Sequence, residues 1–176
     1  MAKLMYPIGK FERPIDITKD IINNWITDIS SFPIRLENEV RHLTDEQLDT
    51  QYRPEGWTIR QVIHHCADSH MNSLIRLKLS LTEDKPTIKP YNEALWAELE
   101  DSKNMPIASS LKIIFGIHER WVNILNKLSE EQFGRLFFHP ENNKIYRIDE
   151  NIGIYAWHSN HHLAHITETK RRMNWI

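Results

Sequence analysis

One cysteine, five glycines and almost no net charge first limit what this 176-residue chain can be. The lone Cys66 rules out an internal disulfide and a thiolate-rich structural zinc site, and it fits a reducing compartment. So few glycines provide no phosphate-cradling loop and argue against an all-β chain full of tight turns. A formal net charge of -2 offers no basic footprint for nucleic acid. No apolar run approaches the roughly 20 residues that a bilayer span requires. The opening stretch MAKLMYPIGKFERP carries no apolar signal-peptide core. The expected location is therefore cytoplasmic, with neither a membrane nor nucleic acid as partner.

What is present is ordinary for a soluble globular protein: 40% hydrophobic and 26% charged residues, read as one domain over 1–176. Residues 1–16, with Pro7, Gly9 and Pro14, read as an extended arm. Thr18 caps a helix over Ile21, Ile22, Trp25, Ile26 and Ile29, and the pattern resumes at Leu36, Val40 and Leu43 after a kink or break at Pro33. Capping boxes at Thr44–Gln47 and Thr58–Gln61 open a short helix and then a long one to about Leu81. Residues 82–104 read as a long crossover with a turn or two of helix around Glu93–Leu99. Pro106 suits the first turn of a third long helix, with Leu111, Ile114, Phe115, Ile117, Trp121, Leu125 and Leu128 on its apolar face. Ser129–Gln132 starts another short turn. Leu136–Phe138 and Ile145–Ile148 suit a small hairpin. Asp149 is expected to cap the last helix, which runs to about Met173. The fold class expected is all-α, a four-helix bundle with one long crossover and a β-hairpin before the last helix.

The chemistry concentrates in that last helix, where four of the ten histidines fall within Trp157-His158-Ser159-Asn160-His161-His162-Leu163-Ala164-His165. At about 100° per residue, His158 and His162 share one face a turn apart, a spacing that lets two imidazoles converge on a first-row divalent metal. His158/His162 is the i, i+4 pair nearest the apolar stripe of Ile152, Tyr155, Leu163 and Ile166. His165, a further turn along, is a supporting residue, and His161 looks peripheral. In the second long helix His65 lies at the edge of the stripe formed by Ile59, Val62, Ile63, Cys66, Leu74 and Leu77. It shares its face with Ser69, Asn72 and Arg76 and would complete a set of three ligands. His70 falls inside the stripe as a core histidine. His64 is expected at the surface, and His42, His118 and His139 at surface or capping positions. Trp25, Trp96, Trp121 and Trp157 are expected in core or interface, with Trp57 and Tyr52 as candidates for a pocket mouth.

Two long segments give these residues a context. Gly56-Trp57-Thr58-Ile59-Arg60-Gln61-Val62-Ile63-His64-His65-Cys66-Ala67-Asp68-Ser69-His70-Met71-Asn72 and Trp157 through Glu168 resemble the two signatures of the DinB/YfiT-like superfamily of metal-binding four-helix bundles. Arg76–Glu83 and Lys89-Pro90-Tyr91 match as well, so the likeness covers essentially the whole chain. The resemblance implies one divalent metal, zinc foremost and nickel as the alternative, on His65, His158 and His162. Cys66 departs from the aliphatic expected there and reads as buried and inert.

The resemblance also implies an enzyme, and it suggests a homodimer. Its similar members are described as metal-dependent hydrolases or as transferases of low-molecular-weight thiols such as bacillithiol. The first expectation is therefore activation of a small thiol for attack on an electrophile, with Asn72 and Arg76 binding the thiol's polar groups and His165 and Ser69 supporting the ligands. The alternative is a hydrolase acting on a small substrate, for which Asp68, Asp149 and Glu168 are the available bases. A third reading is a non-catalytic metal-stabilised bundle acting in stress or interaction.

Overall fold

The computed structural model describes residues 2–175. Met1 and Ile176, the two ends of the expected domain and arm, lie outside the described residues. In chain order the elements are α1 (Ala2–Met5), α2 (Lys19–Val40), α3 (Asp45–Leu48), α4 (Ile59–Thr82), α5 (Glu93–Trp96) and α6 (Glu100–Asn104). They continue with α7 (Ala108–Leu125), α8 (Glu130–Phe133), β1 (Leu136–His139), β2 (Lys144–Arg147) and α9 (Ile148–Arg172). The long helices α2, α4, α7 and α9 form the bundle, and α2 and α4 are each flanked by both α7 and α9. The crossover from α4 to α7 carries α5 and α6. No helix among the described residues is long and apolar enough to cross a membrane.

Local chemistry explains most of the boundaries. The Thr18 side chain accepts from the Ile21 N–H at the start of α2. Reciprocal capping boxes at Thr44/Gln47, Thr58/Gln61 and Ser129/Gln132 open α3, α4 and α8. The hairpin pairs Leu136 with Arg147 and His139 with Lys144, and Asn143 turns it at φ 47°. Asn tolerates that left-handed conformation better than most residues.

Several expectations are corrected. The first residues form one helical turn, α1, rather than a wholly extended arm. α2 runs unbroken through Pro33. Pro33 lacks only one donor, and packing on both sides holds the helix through it. Pro106 precedes α7 rather than lying in its first turn, and Phe115 is exposed on that helix. Asp149 does not cap α9: Arg147 holds that position. Asp149 sits in the first turn, accepts the Glu150 N–H at 2.7 Å and pairs with Arg147 at 2.7 Å.

The core is divided along the bundle axis. One apolar cluster gathers Phe32, Leu36, Ile59, Ile63, Cys66, Ile114 and Ile166. The other gathers Ile22, Ile26, Ile29, Leu74, Leu77, Trp121, Leu125 and Ile152. Where α2 and α9 meet, a Cβ at Gly153 would lie 2.7 Å from the Trp25 ring, so only glycine permits this approach. The segments between the clusters carry His70 on α4, His118 on α7 and His158 on α9.

Candidate metal centre

His65 projects from the first half of α4, and His158 and His162 from the middle of α9. Their ligating atoms all lie within 4.8 Å of one another. The Nε2 atoms of His65 and His158 are 3.1 Å apart. Two nitrogens bound at about 2.0–2.1 Å to one ion sit roughly 2.8–3.4 Å apart at octahedral to tetrahedral angles. The spacing therefore fits a shared divalent ion.

Protonation fits as well. Burial pushes His65 down to about 4, helped by the nearby His161. Burial, and then the neighbouring imidazoles, holds His158 and His162 well below the ordinary histidine value. All three rings are neutral near pH 7, the form that donates a lone pair to a metal.

Which nitrogen carries the lone pair is set by two hydrogen-bond chains. Pro33 has no N–H, so the Ile29 carbonyl lacks its helical i+4 donor. His118 Nδ1–H donates to that carbonyl at 2.6 Å. A carbonyl only accepts, so the neutral His118 ring turns its bare Nε2 toward His70. His70 Nδ1–H donates to it at 2.7 Å. The bare His70 Nε2 in turn accepts from His158 Nδ1–H at 3.0 Å. His158 is thereby left with its Nε2 lone pair facing His65.

A second, shorter chain treats His162 the same way. His165 Nε2–H donates to the Met5 carbonyl at 3.2 Å, and the two Nδ1 atoms of His165 and His162 lie 3.4 Å apart. His165 Nδ1 accepts there, which frees His162 Nε2. Outer hydrogen bonds of this kind fix both the tautomer and the orientation of ligand histidines.

The three rings border a cavity of about 510 Å³. Tyr52 stacks on His165 at 4.0 Å, and Trp57 lies 4.7 Å from His65. Trp157, expected in core or interface, stacks instead on His161 at 4.4 Å beside the cavity. Arg76 and Ser69 also border it, and Ser69 bonds Tyr155 rather than a ligand ring. Asn72 does not border it: its amide donates to the Asp68 carbonyl at 2.9 Å.

None of the three expected bases lines the cavity. Asp68 lies outside it, with its carboxyl pushed up to about 6 by burial and then by Asp101. Asp149 pairs with Arg147, and Glu168 with Arg171. The carboxylates that border the cavity are Glu93 and Glu141, both exposed.

The remaining histidines correct the sequence reading. His64 is buried and ties α4 to the start of α7: its Nε2–H donates to the Met105 carbonyl at 3.1 Å and its Nδ1 accepts from the Ser110 hydroxyl at 2.7 Å. His118 is 2% exposed, not a surface group. His139 is buried at the cavity wall, and His161 is buried rather than peripheral. A signal for His118 was available. It falls on the stripe of Ile114, Trp121 and Leu125, and a proline four residues after Ile29 announces a carbonyl in need of a donor. Cys66 is buried, and burial pushes its thiol up, so it is inert.

A four-helix bundle with three convergent neutral imidazoles at the wall of a cavity defines a class of protein, and comparison with known families gives that class a name. The chain belongs to the DinB superfamily, whose family model matches residues 33–166. It is 49% identical over 174 residues to "Putative metal-dependent hydrolase YfiT" of Bacillus subtilis, covering 99% of this chain and 98% of that protein. It is 55% identical over 170 residues to OB0782 of Oceanobacillus iheyensis, which bears the same description, covering 97% and 98%. The solved structure of YfiT from Bacillus subtilis, described as a probable metal-dependent hydrolase with an unusual four-helix bundle topology, superposes with a TM-score of 0.96. That match has 48% identity and covers 99% of both chains.

Proposed function

We propose that this protein is a metal-dependent hydrolase of small molecules, with one divalent ion on His65, His158 and His162. The observation that carries the reading is the convergence of three neutral imidazole nitrogens on one point of a cavity wall. Three protein ligands leave a position open, as in catalytic rather than structural sites. Zinc and nickel both suit three imidazoles. Such an ion acts as a Lewis acid that brings the pKa of water toward about 7, or takes up a thiol as thiolate.

The chain's own part is positioning. The carbonyls of Ile29 and Met5, acting through His118, His70 and His165, hold the Nε2 atoms of His158 and His162 bare and aimed. Trp57 packs on the His65 ring, and Tyr52 stacks on His165, the ring that supports His162.

Transfer of a small thiol is the second reading, and one observation favours it. None of the expected carboxylate bases borders the cavity, and the two carboxylates that do are exposed. A nucleophile whose proton is lost on coordination makes less demand on a protein base. The test is turnover by purified protein reconstituted with zinc or nickel. One arm offers a panel of esters and amides without thiol, the other a small thiol with monochlorobimane. Thiol-free hydrolysis that disappears in His162→Ala is the expected result. Conjugation alone would replace hydrolysis with thiol transfer, and silence in both arms despite tight metal binding would overturn the enzymatic reading.

A further inference from the structure

α4 buries two arginines, and the fold treats them differently. Arg60 is 4% exposed and fully provided for: it donates to Asp49 at 2.6 Å, to Asp45 at 2.8 Å and to the Met105 carbonyl at 3.2 Å. Arg76 is 9% exposed and borders the cavity, yet it has no ion pair among the described residues, and its Nε has no hydrogen-bond partner. A buried Nε–H without an acceptor, on a guanidinium that no carboxylate pairs, costs stability that a bound anion would recover.

A second orphan borders the same cavity. His139, at the end of β1, is buried, and its Nδ1 also lacks a partner. Burial and then the Arg76 charge hold its ring below the ordinary value, so it meets a ligand as a neutral hydrogen-bonding group beside the arginine. Glu93 and Glu141 also border the cavity but are exposed, and neither forms an ion pair with Arg76 among the described residues.

The position of Arg76 adds a length. Eleven residues separate it from His65, three helical turns that return to the same face after about 16 Å of rise. Long helical side chains generally lean toward the helix N-terminus, which for Arg76 is the direction of the triad, and both border the same cavity.

We propose that Arg76 and His139 form the anion-binding end of the cavity. The substrate is then an elongated small molecule with a carboxylate or phosphate group remote from the bond that reacts. Placing the reacting bond at the histidine triad rests on the function proposed above; the anion site itself does not.

The test uses metal-free protein, so that no anion binds an ion, and tracks thermal stability with succinate or inorganic phosphate as probes. Succinate, phosphate or both are expected to stabilise the wild type, and whichever acts identifies the group recognised. His162→Ala should keep the response. Arg76→Met should weaken it by roughly tenfold or more, and Arg76→Lys, which keeps the charge but not the planar fork, should retain part of it. Without anion, Arg76→Met should be as stable as the wild type or more so, because it removes an unpaired buried charge.

His139→Leu should also weaken binding and supplies a second route should Arg76→Met fold poorly. No response to either probe, a response unchanged in both Arg76→Met and His139→Leu, or equal destabilisation of Arg76→Met and Arg76→Lys without anion would each overturn the proposal. Metal binding or hydrolysis can fail while an Arg76-dependent response stands, and the reverse, so the two readings fall separately.

Discussion

Replacing His118 by Phe tests whether a carbonyl on the opposite helix sets the metal site. The substitution keeps an aromatic ring of similar size but removes the donor to Ile29 and the acceptor for His70. Two buried groups then lose their partners, the Ile29 carbonyl and the His70 Nδ1–H. At about 1–3 kcal/mol each, metal-free stability should fall by about 2–4 kcal/mol after partial relaxation. The larger consequence lies one ring further on. His70 without an acceptor at Nδ1 is free to carry its proton on Nε2, where it faces His158 Nδ1 and drives the His158 proton to the metal-binding nitrogen.

Loss of such outer support costs about 10–100-fold in metal affinity, equivalent to roughly 1.4–2.7 kcal/mol. Competition with a chelating dye measures the affinity, and ¹⁵N chemical shifts of the rings report which nitrogen is protonated. His118→Gln, which still offers an oxygen to His70, should recover much of the loss. A His118→Phe protein that binds zinc within about threefold of wild type and keeps the His158 proton on Nδ1 would refute the reasoning.

The same structure supports three more expectations. His158→Ala and His162→Ala should each abolish metal binding while His161→Ala spares it, and metal analysis showing equal loss in all three would contradict the triad. Asp68 is raised in the folded state from 3.8 to about 6, so its contribution to stability is greatest at low pH and declines as pH rises through about 6. Denaturation across that range should show a decline that is smaller in Asp68→Asn; an identical slope in the variant would remove Asp68 as the cause. Gly153→Ala should cost about 1–3 kcal/mol despite alanine's better helix propensity, because the new methyl meets the Trp25 ring at 2.7–2.9 Å. A stabilised variant with unchanged Trp25 fluorescence would show that the ring yields freely.

The bundle and most of its helix starts were legible in the order of residues alone. Thr18, Thr44, Thr58 and Ser129 each cap the helix immediately after them through contacts three residues away, and such contacts need no knowledge of the fold. The triad was legible for a related reason. His158 and His162 share a helical face by arithmetic, and His65 sits at the edge of an apolar stripe, where a cavity wall between helices has to be. The unbroken course of α2 through Pro33 was not legible, because packing outweighed a local preference. Asp149 fails to cap α9 because the helix begins one residue before it, at Ile148, whose N–H is held by the Arg135 carbonyl at 2.9 Å across the hairpin.

What only the tertiary structure decided is how the remaining histidines are used and which side chains border the cavity. His118, His70 and His158 lie on three helices and end on the carbonyl of a fourth, with His118 89 positions beyond Ile29 in the chain. Their order as donors and acceptors is a property of the packed bundle. Arg60 and Arg76 read alike in the chain, both arginines on one helix. One folds against two aspartates, and the other borders the cavity with no carboxylate paired to it among the described residues. Helical periodicity assigns a residue to a face, but the partner across that face comes from a distant part of the chain and is known only once the helices have packed.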